Sequence, residues 1–116
     1  MSEIRQGQVY WLDFGSAASS APAERHPCVV VQNDVFNQSA IATSVVCPIT
    51  SNLSRAKAPG NVLLKTGEAN LPKASVVNVS QILTVDKAEL VESTGKLSAA
   101  AAGAVREGLY LLFDRL

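Results

Sequence analysis

The sequence predicts a mainly β protein that ends in one α-helix, with the strands forming a small, strongly curved sheet or barrel. Three observations predict this. Short apolar runs rich in Val, Ile and aromatic residues recur through the first five-sixths of the chain, segments rich in Gly, Pro, Ser and Asn separate them, and an alanine-rich stretch with helical spacing begins only after Ser98. With 116 residues the chain is long enough to bury a real core and short for two ordinary domains, so one domain over 1–116 is expected.

The elements follow in order. Gln8 to Phe14 is β-branched and aromatic and reads as the first strand. Gly15 to Ala23 is small and polar, with nothing to bury, and reads as an exposed loop delivering the chain to Glu24, Arg25 and His26. Pro27 biases His26 towards an extended backbone, and Cys28 to Gln32 makes a second strand buried on both faces. Asn33 to Ser39 is a polar turn with room for one helical turn, and Ile41 to Ile49 is the third strand, with Thr50 at its C-terminal end. A basic loop from Ser51 to Gly60 precedes a short strand at Asn61 to Lys65, a turn at Thr66 to Glu68, and a fifth strand at Ala74 to Val79. After a bend near Ser80 the chain continues extended through Gln81 to Val85. Asp86 caps a helical turn to Leu90, and a last strand covers Val91 to Lys96. Ser98 is a good N-cap for a helix running to Phe113, whose stripe of Val105, Leu109, Leu112 and Phe113 would pack on the sheet or on a second subunit. Gly103 and Gly108 would each weaken that helix by about 1 kcal/mol relative to alanine.

Composition excludes several classes. Ten basic and ten acidic residues cancel, so no global positive field draws nucleic acid and any such contact must come from a local patch. Arg55, Lys57 and Lys73 are the candidates for it. The first residues lack a secretory pattern and no apolar run is long enough to cross a membrane, so a soluble cytoplasmic protein is expected. Cys28 and Cys47 sit in apolar runs as small core hydrophobes, and a cytoplasmic setting argues against a disulfide. One histidine and no close Cys or His spacing give no zinc pattern, and neither a metal nor another cofactor is expected.

Four segments carry a resemblance. Gln6 to Phe14 looks like the opening strand of the MazF/PemK/Kid toxins, and His26-Pro27 with Val29-Val30-Val31-Gln32-Asn33-Asp34 resembles their Arg-Pro, apolar strand and Gln-Asn-Asp segment. Pro48-Ile49-Thr50-Ser51-Asn52 is similar to the segment holding their active-site threonine, and Val79 to Lys87 resembles their late Gln-Ile-x-Thr-x-Asp-Lys signature. The match runs in order over almost the whole chain. It implies an SH3-like curled sheet or barrel of the PemK/CcdB toxin type, working as a homodimer. It also implies a metal-independent, sequence-specific endoribonuclease of a type II toxin-antitoxin system that cleaves single-stranded mRNA. In the family's reaction the 2′-hydroxyl attacks the adjacent phosphate, leaving a 2′,3′-cyclic phosphate and a 5′-hydroxyl. The implied partner is a MazE-like antitoxin whose disordered tail folds across the active-site groove.

That reaction needs a base, an acid and donors for a charged phosphorane. Here the chain departs from the family, because His26 stands where the arginine before the proline is usual and Arg25 lies one residue earlier. A histidine can exchange a proton near neutral pH, whereas an arginine stays charged and grips phosphate. In one reading His26 is the acid or base and Arg25 the phosphate stabiliser; in the other Arg25 swings inward to replace the family arginine. Thr50 offers a hydroxyl donor, and the alternative for it is a bond to nearby backbone at a turn. Ser51 and Asn52 beside it are candidate substrate contacts, as are Glu24, Phe14 for base stacking, Arg55, and Gln81 as support or contact. Gln32, Asn33 and Asp34 can read base edges or can be ordinary turn residues. Two other functions use the same resemblance: a CcdB-like gyrase poison, and a catalytically degenerate relative that only binds RNA or antitoxin.

Overall fold

The structure is a computed structural model that describes residues 3–13 and 25–116. The expected loop from Gly15 to Ala23, with Phe14 and Glu24 on either side of it, lies outside the described residues. The elements are β1 (Gln8–Asp13), β2 (Arg25–Val30), α1 (Asp34–Asn37), β3 (Thr43–Thr50), β4 (Val62–Leu64), β5 (Ser75–Val77), β6 (Leu83–Asp86), β7 (Glu92–Lys96) and α2 (Ala99–Phe113). All pairings are antiparallel, in the order β4-β5-β3-β2-β1-β7, with β6 also on β3.

The curl of the sheet comes from β3, which shares one edge between two partners. Thr43 to Val46 pair with Asp86 to Leu83 of β6, while Ile49 and Thr50 pair with Val77 and Val76 of β5. A 3-10 turn at Val79–Gln81 carries the chain from one partner position to the other, and the expected bend near Ser80 is this turn. The Asn78 N–H holds the crossing to β3 by donating to the Pro48 carbonyl at 2.9 Å.

Strand alternation divides the core between the two faces. Val9, Val29, Cys47, Ile49 and Val77 pack with Leu64, Leu97 and Val105 beneath α2. Tyr10, Leu12, Cys28, Val30 and Val46 pack with Val85 and Leu90 on the other side. The second strand is therefore buried on both faces, as its composition implied. It begins earlier than expected, at Arg25, because β1 is long enough to pair Asp13 with Arg25 and Leu12 with His26. It also ends earlier, at Val30, because the chain beyond turns into α1.

Both cysteines are free and buried. Cys28 lies opposite Pro48 and Val29 opposite Cys47, so the two thiols leave the sheet on opposite faces and do not meet. Burial pushes each thiol up to about 12.

Helix α2 starts where expected, with the Ser98 hydroxyl accepting from the Ala101 N–H at 3.2 Å. The predicted stripe holds only in part. Val105 is buried and Leu109 half-buried, but Leu112 and Phe113 are exposed beside Tyr110 and Leu111. The packing position is instead Gly108, where an added Cβ would stand 2.2 Å from the Gly60 carbonyl oxygen. The helix approaches the 51–60 loop backbone to backbone, which only glycine permits. Gly60 itself has φ +77°, so neither side of this contact suits a larger residue.

Candidate active site

The β2–β3 ladder pairs Cys28 with Pro48, Val29 with Cys47 and Val30 with Val46. His26 stands two residues beyond Cys28 and Thr50 two residues beyond Pro48, so both lie at the same end of the ladder. Alternation puts them on one face, the face of Cys28 and Pro48. Both are half-buried, at the margin between core and solvent. Thr50 Oγ1 accepts from the Asn52 N–H at 3.1 Å, which fixes the oxygen and leaves its proton free to be donated elsewhere. Asn52 caps the next turn, its carboxamide oxygen accepting from the Ser54 N–H at 3.2 Å and the Ser54 hydroxyl at 2.7 Å. Ser51 is exposed beside them, and Arg55 and Lys57 are exposed on the 3-10 helix Leu53–Lys57. Lys73 reaches the same end, three residues before Val76, the partner of Thr50.

Arg25 is on the opposite face. It pairs across the strands with Asp13, its Nη2 donates to Glu92 Oε1 at 2.6 Å, and its guanidinium carbon lies 5.8 Å from the centroid of the Trp11 ring. Gln81 is exposed at the end of the 3-10 turn beside β3, next to the Asn78 contact with Pro48.

Gln32, Asn33 and Asp34 are at the other end of the ladder. β3 runs from Thr43 beside Gln32 to Thr50, which separates the two ends by about 23 Å. The Gln32 amide donates to Asn37 Oδ1 at 2.9 Å and to the Thr43 carbonyl at 3.1 Å. Asn33 caps α1 by accepting from the Val35 N–H at 2.8 Å, and Asp34 accepts from the Gln6 N–H at 2.6 Å. This last bond is the main reason that the Asp34 carboxyl lies below its usual range, with the Asn37 amide adding to it. The Gln-Asn-Asp segment thus has a structural task in which each side chain is engaged.

The sequence profile of the PemK-like, MazF-like toxins of type II toxin-antitoxin systems matches residues 5–113. The chain belongs to this toxin family. It is 40% identical over 111 residues to Endoribonuclease MazF6 of Mycobacterium tuberculosis and to Endoribonuclease MazF2 of Mycobacterium bovis, covering 96% of this chain and 97% of each relative. The fold agrees with solved MazF structures. One from a MazE-MazF crystal of Deinococcus radiodurans superposes with a TM-score of 0.81 at 20% identity over the full length of both chains. A mycobacterial endoribonuclease in complex with its cognate antitoxin superposes with a TM-score of 0.79 at 23% identity over 97% of both. The curled antiparallel sheet with a C-terminal helix is the MazF-like fold.

In this MazF-like chain the described residues bring an imidazole, a hydroxyl and several exposed cations to one strand end. Among the described residues no three His, Cys, Asp or Glu side chains gather in a way that could hold a metal ion. The residues that build this end were not legible in the sequence. The Asn61 amide donates to Asn78 Oδ1 and to the Arg55 carbonyl, each at 3.0 Å, and its oxygen accepts from the Val79 N–H at 2.9 Å. One side chain thereby ties the basic loop to the crossing turn. Single asparagines at strand ends carry no spacing signal, which is why they escaped notice. Trp11 and Glu92 were missed because their meeting with Arg25 depends on β1, β2 and β7 lying side by side.

Proposed function

We propose that this MazF-like toxin is an endoribonuclease that cleaves single-stranded RNA, mRNA in the cell, at specific sequences. The RNA supplies its own nucleophile: the 2′-hydroxyl attacks the neighbouring phosphorus, the 5′-oxygen leaves, and the products are a 2′,3′-cyclic phosphate and a 5′-hydroxyl. Such a reaction consumes no water and needs no metal-bound hydroxide. His26 transfers the proton, as base to the 2′-hydroxyl or acid to the leaving oxygen, and Thr50 donates its hydroxyl to a phosphate oxygen as negative charge builds. Arg25 adds positive charge at the same strand end but from the opposite face of the sheet, and Ser51, Asn52, Arg55 and Gln81 are the substrate contacts around His26 and Thr50.

The observation that carries this reading is the shared end and shared face of His26 and Thr50 on the β2–β3 ladder. It favours the histidine over an inward-swinging Arg25, which is engaged by Glu92 across the sheet. Gln32, Asn33 and Asp34 were candidates for reading bases; their engagement at the far end favours a framework role.

The protein works in the cytoplasm as a homodimer restrained by a MazE-like antitoxin whose tail lies in the RNA groove. Support comes from the apolar surface at the end of α2 and from membership of the toxin family. The gyrase-poison reading gains nothing from relatives that are named endoribonucleases.

The test is antitoxin-free protein incubated with a long single-stranded RNA in EDTA. Discrete fragments with cyclic-phosphate ends, abolished by Thr50→Ala, are expected. No cleavage by folded protein across varied RNAs would overturn the reading.

A further inference from the structure

Arg25, Trp11 and Glu92 belong to three different strands, yet they form one layered unit on the face opposite His26 and Thr50. Trp11 lies directly across from Pro27 on β2 and from Glu92 on β7, and Asp13 lies across from Arg25. The guanidinium carbon stands 5.8 Å from the indole centroid, close enough for cation–π attraction, and Glu92 accepts from its Nη2 at 2.6 Å. The Arg25 and Glu92 side chains remain 52% and 61% exposed. An exposed ion pair adds little to stability, since solvent screens it and ordering two long side chains costs entropy. Its geometry suits recognition better. The guanidinium carbon lies over the indole ring, the side chain retains open surface, and its Nη2 is held by a carboxylate that still has lone pairs to offer.

We propose that Arg25, Trp11 and Glu92 form a nucleobase subsite for the RNA on one side of the cleaved bond. An unpaired base stacks on the guanidinium, making a base–guanidinium–indole sandwich, while Glu92 accepts from a ring or exocyclic N–H of that base. Stacking on aromatic rings and on arginine planes is the usual way in which splayed RNA bases are held. The carboxylate adds preference, because it favours bases that present an N–H and repels those that present only acceptors. The strand end gives the subsite its place: RNA crossing the margin at His26 meets Arg25 on the adjoining residue and the other face.

The proposal rests on the endoribonuclease reading, and the experiment separates their failures. Trp11 is the chain's one tryptophan, so its emission reports on this unit alone. A fully 2′-O-methylated single-stranded RNA, which has no nucleophile, is titrated into the full-length protein while fluorescence anisotropy of the labelled oligonucleotide and Trp11 emission are read together. Saturable quenching that follows the anisotropy is expected. Arg25→Lys, which keeps the charge and loses the plane, should weaken binding about tenfold, the scale of one lost stack. Glu92→Ala should level the affinities for oligonucleotides differing in one base. Binding with unchanged Trp11 emission, or full affinity in Arg25→Lys, overturns the subsite and leaves the nuclease reading intact. Absence of binding together with absence of cleavage of unmodified RNA overturns both.

Discussion

At the residue scale the proposed chemistry turns on His26. An arginine in its place could hold a phosphate but could not readily give or take a proton, so the two residues divide the same reaction differently. His26→Ala should lower the cleavage rate about 100-fold or more, the usual worth of a lost acid or base, while binding of the uncleavable oligonucleotide changes little. Near-full cleavage by that variant would remove the histidine from the mechanism. His26→Arg is expected to keep binding of the uncleavable oligonucleotide while cleavage stays as low as in His26→Ala; full cleavage by His26→Arg would show that this position supplies charge rather than proton transfer. Much of this was legible in the sequence, because His26-Pro27 and Thr50 sit in segments with recognisable order. The partnership of Arg25 with Trp11 and Glu92 was not, since it arises from strand neighbours far apart in the chain.

At the scale of elements, the β2–β3 ladder keeps the proposed chemistry at one end and a hydrogen-bonded knot at the other. Asn37 is buried in that knot, its amide donating to the Gln32 carbonyl at 2.8 Å and its oxygen accepting from the Ser44 hydroxyl at 2.8 Å. Asn37→Ala strands buried polar partners and should cost about 1–3 kcal/mol, visible as a lower denaturation midpoint. Asp34 in the same knot has its carboxyl held below the ordinary range, chiefly by the Gln6 N–H. The unfolded chain then binds the proton more readily. The stabilisation is present above the unfolded value of about 3.9 and drains as pH falls through the lower native value. Asp34→Asn should flatten the acid side of the stability curve, and identical acid profiles would show that Asp34 contributes nothing there. The strands were legible from apolar patterning, but the bounds of β2 were not. They depend on which β1 residues are available to pair, and a single segment does not carry that information.

For the whole molecule, the end of α2 is the surface that most needs a partner. Tyr110, Leu111, Leu112 and Phe113 are exposed, and nearby Phe36 helps line an apolar cleft of about 370 Å³ with Leu109 and Phe113. A homodimer covering this surface should be seen by light scattering at micromolar concentration, and Leu111→Glu with Phe113→Glu should shift it to monomer; a wild-type monomer would count against it. The sequence announced the apolar helix but not where it would press on the sheet, because glycine has no side chain to signal a contact. Gly108→Ala should cost about 1–3 kcal/mol as the helix is pushed off the Gly60 carbonyl, read as a lower melting temperature. The distance between the two ends of β3 has a practical consequence for anyone diversifying this toxin. If the proposed site is right, randomising 25–26 and 50–52 explores catalytic rate and sequence preference on a framework left standing, whereas randomising 32–37 screens for expression and solubility. Two libraries, selected for different traits, could then be recombined with little interference, since the strand between them insulates one set of choices from the other.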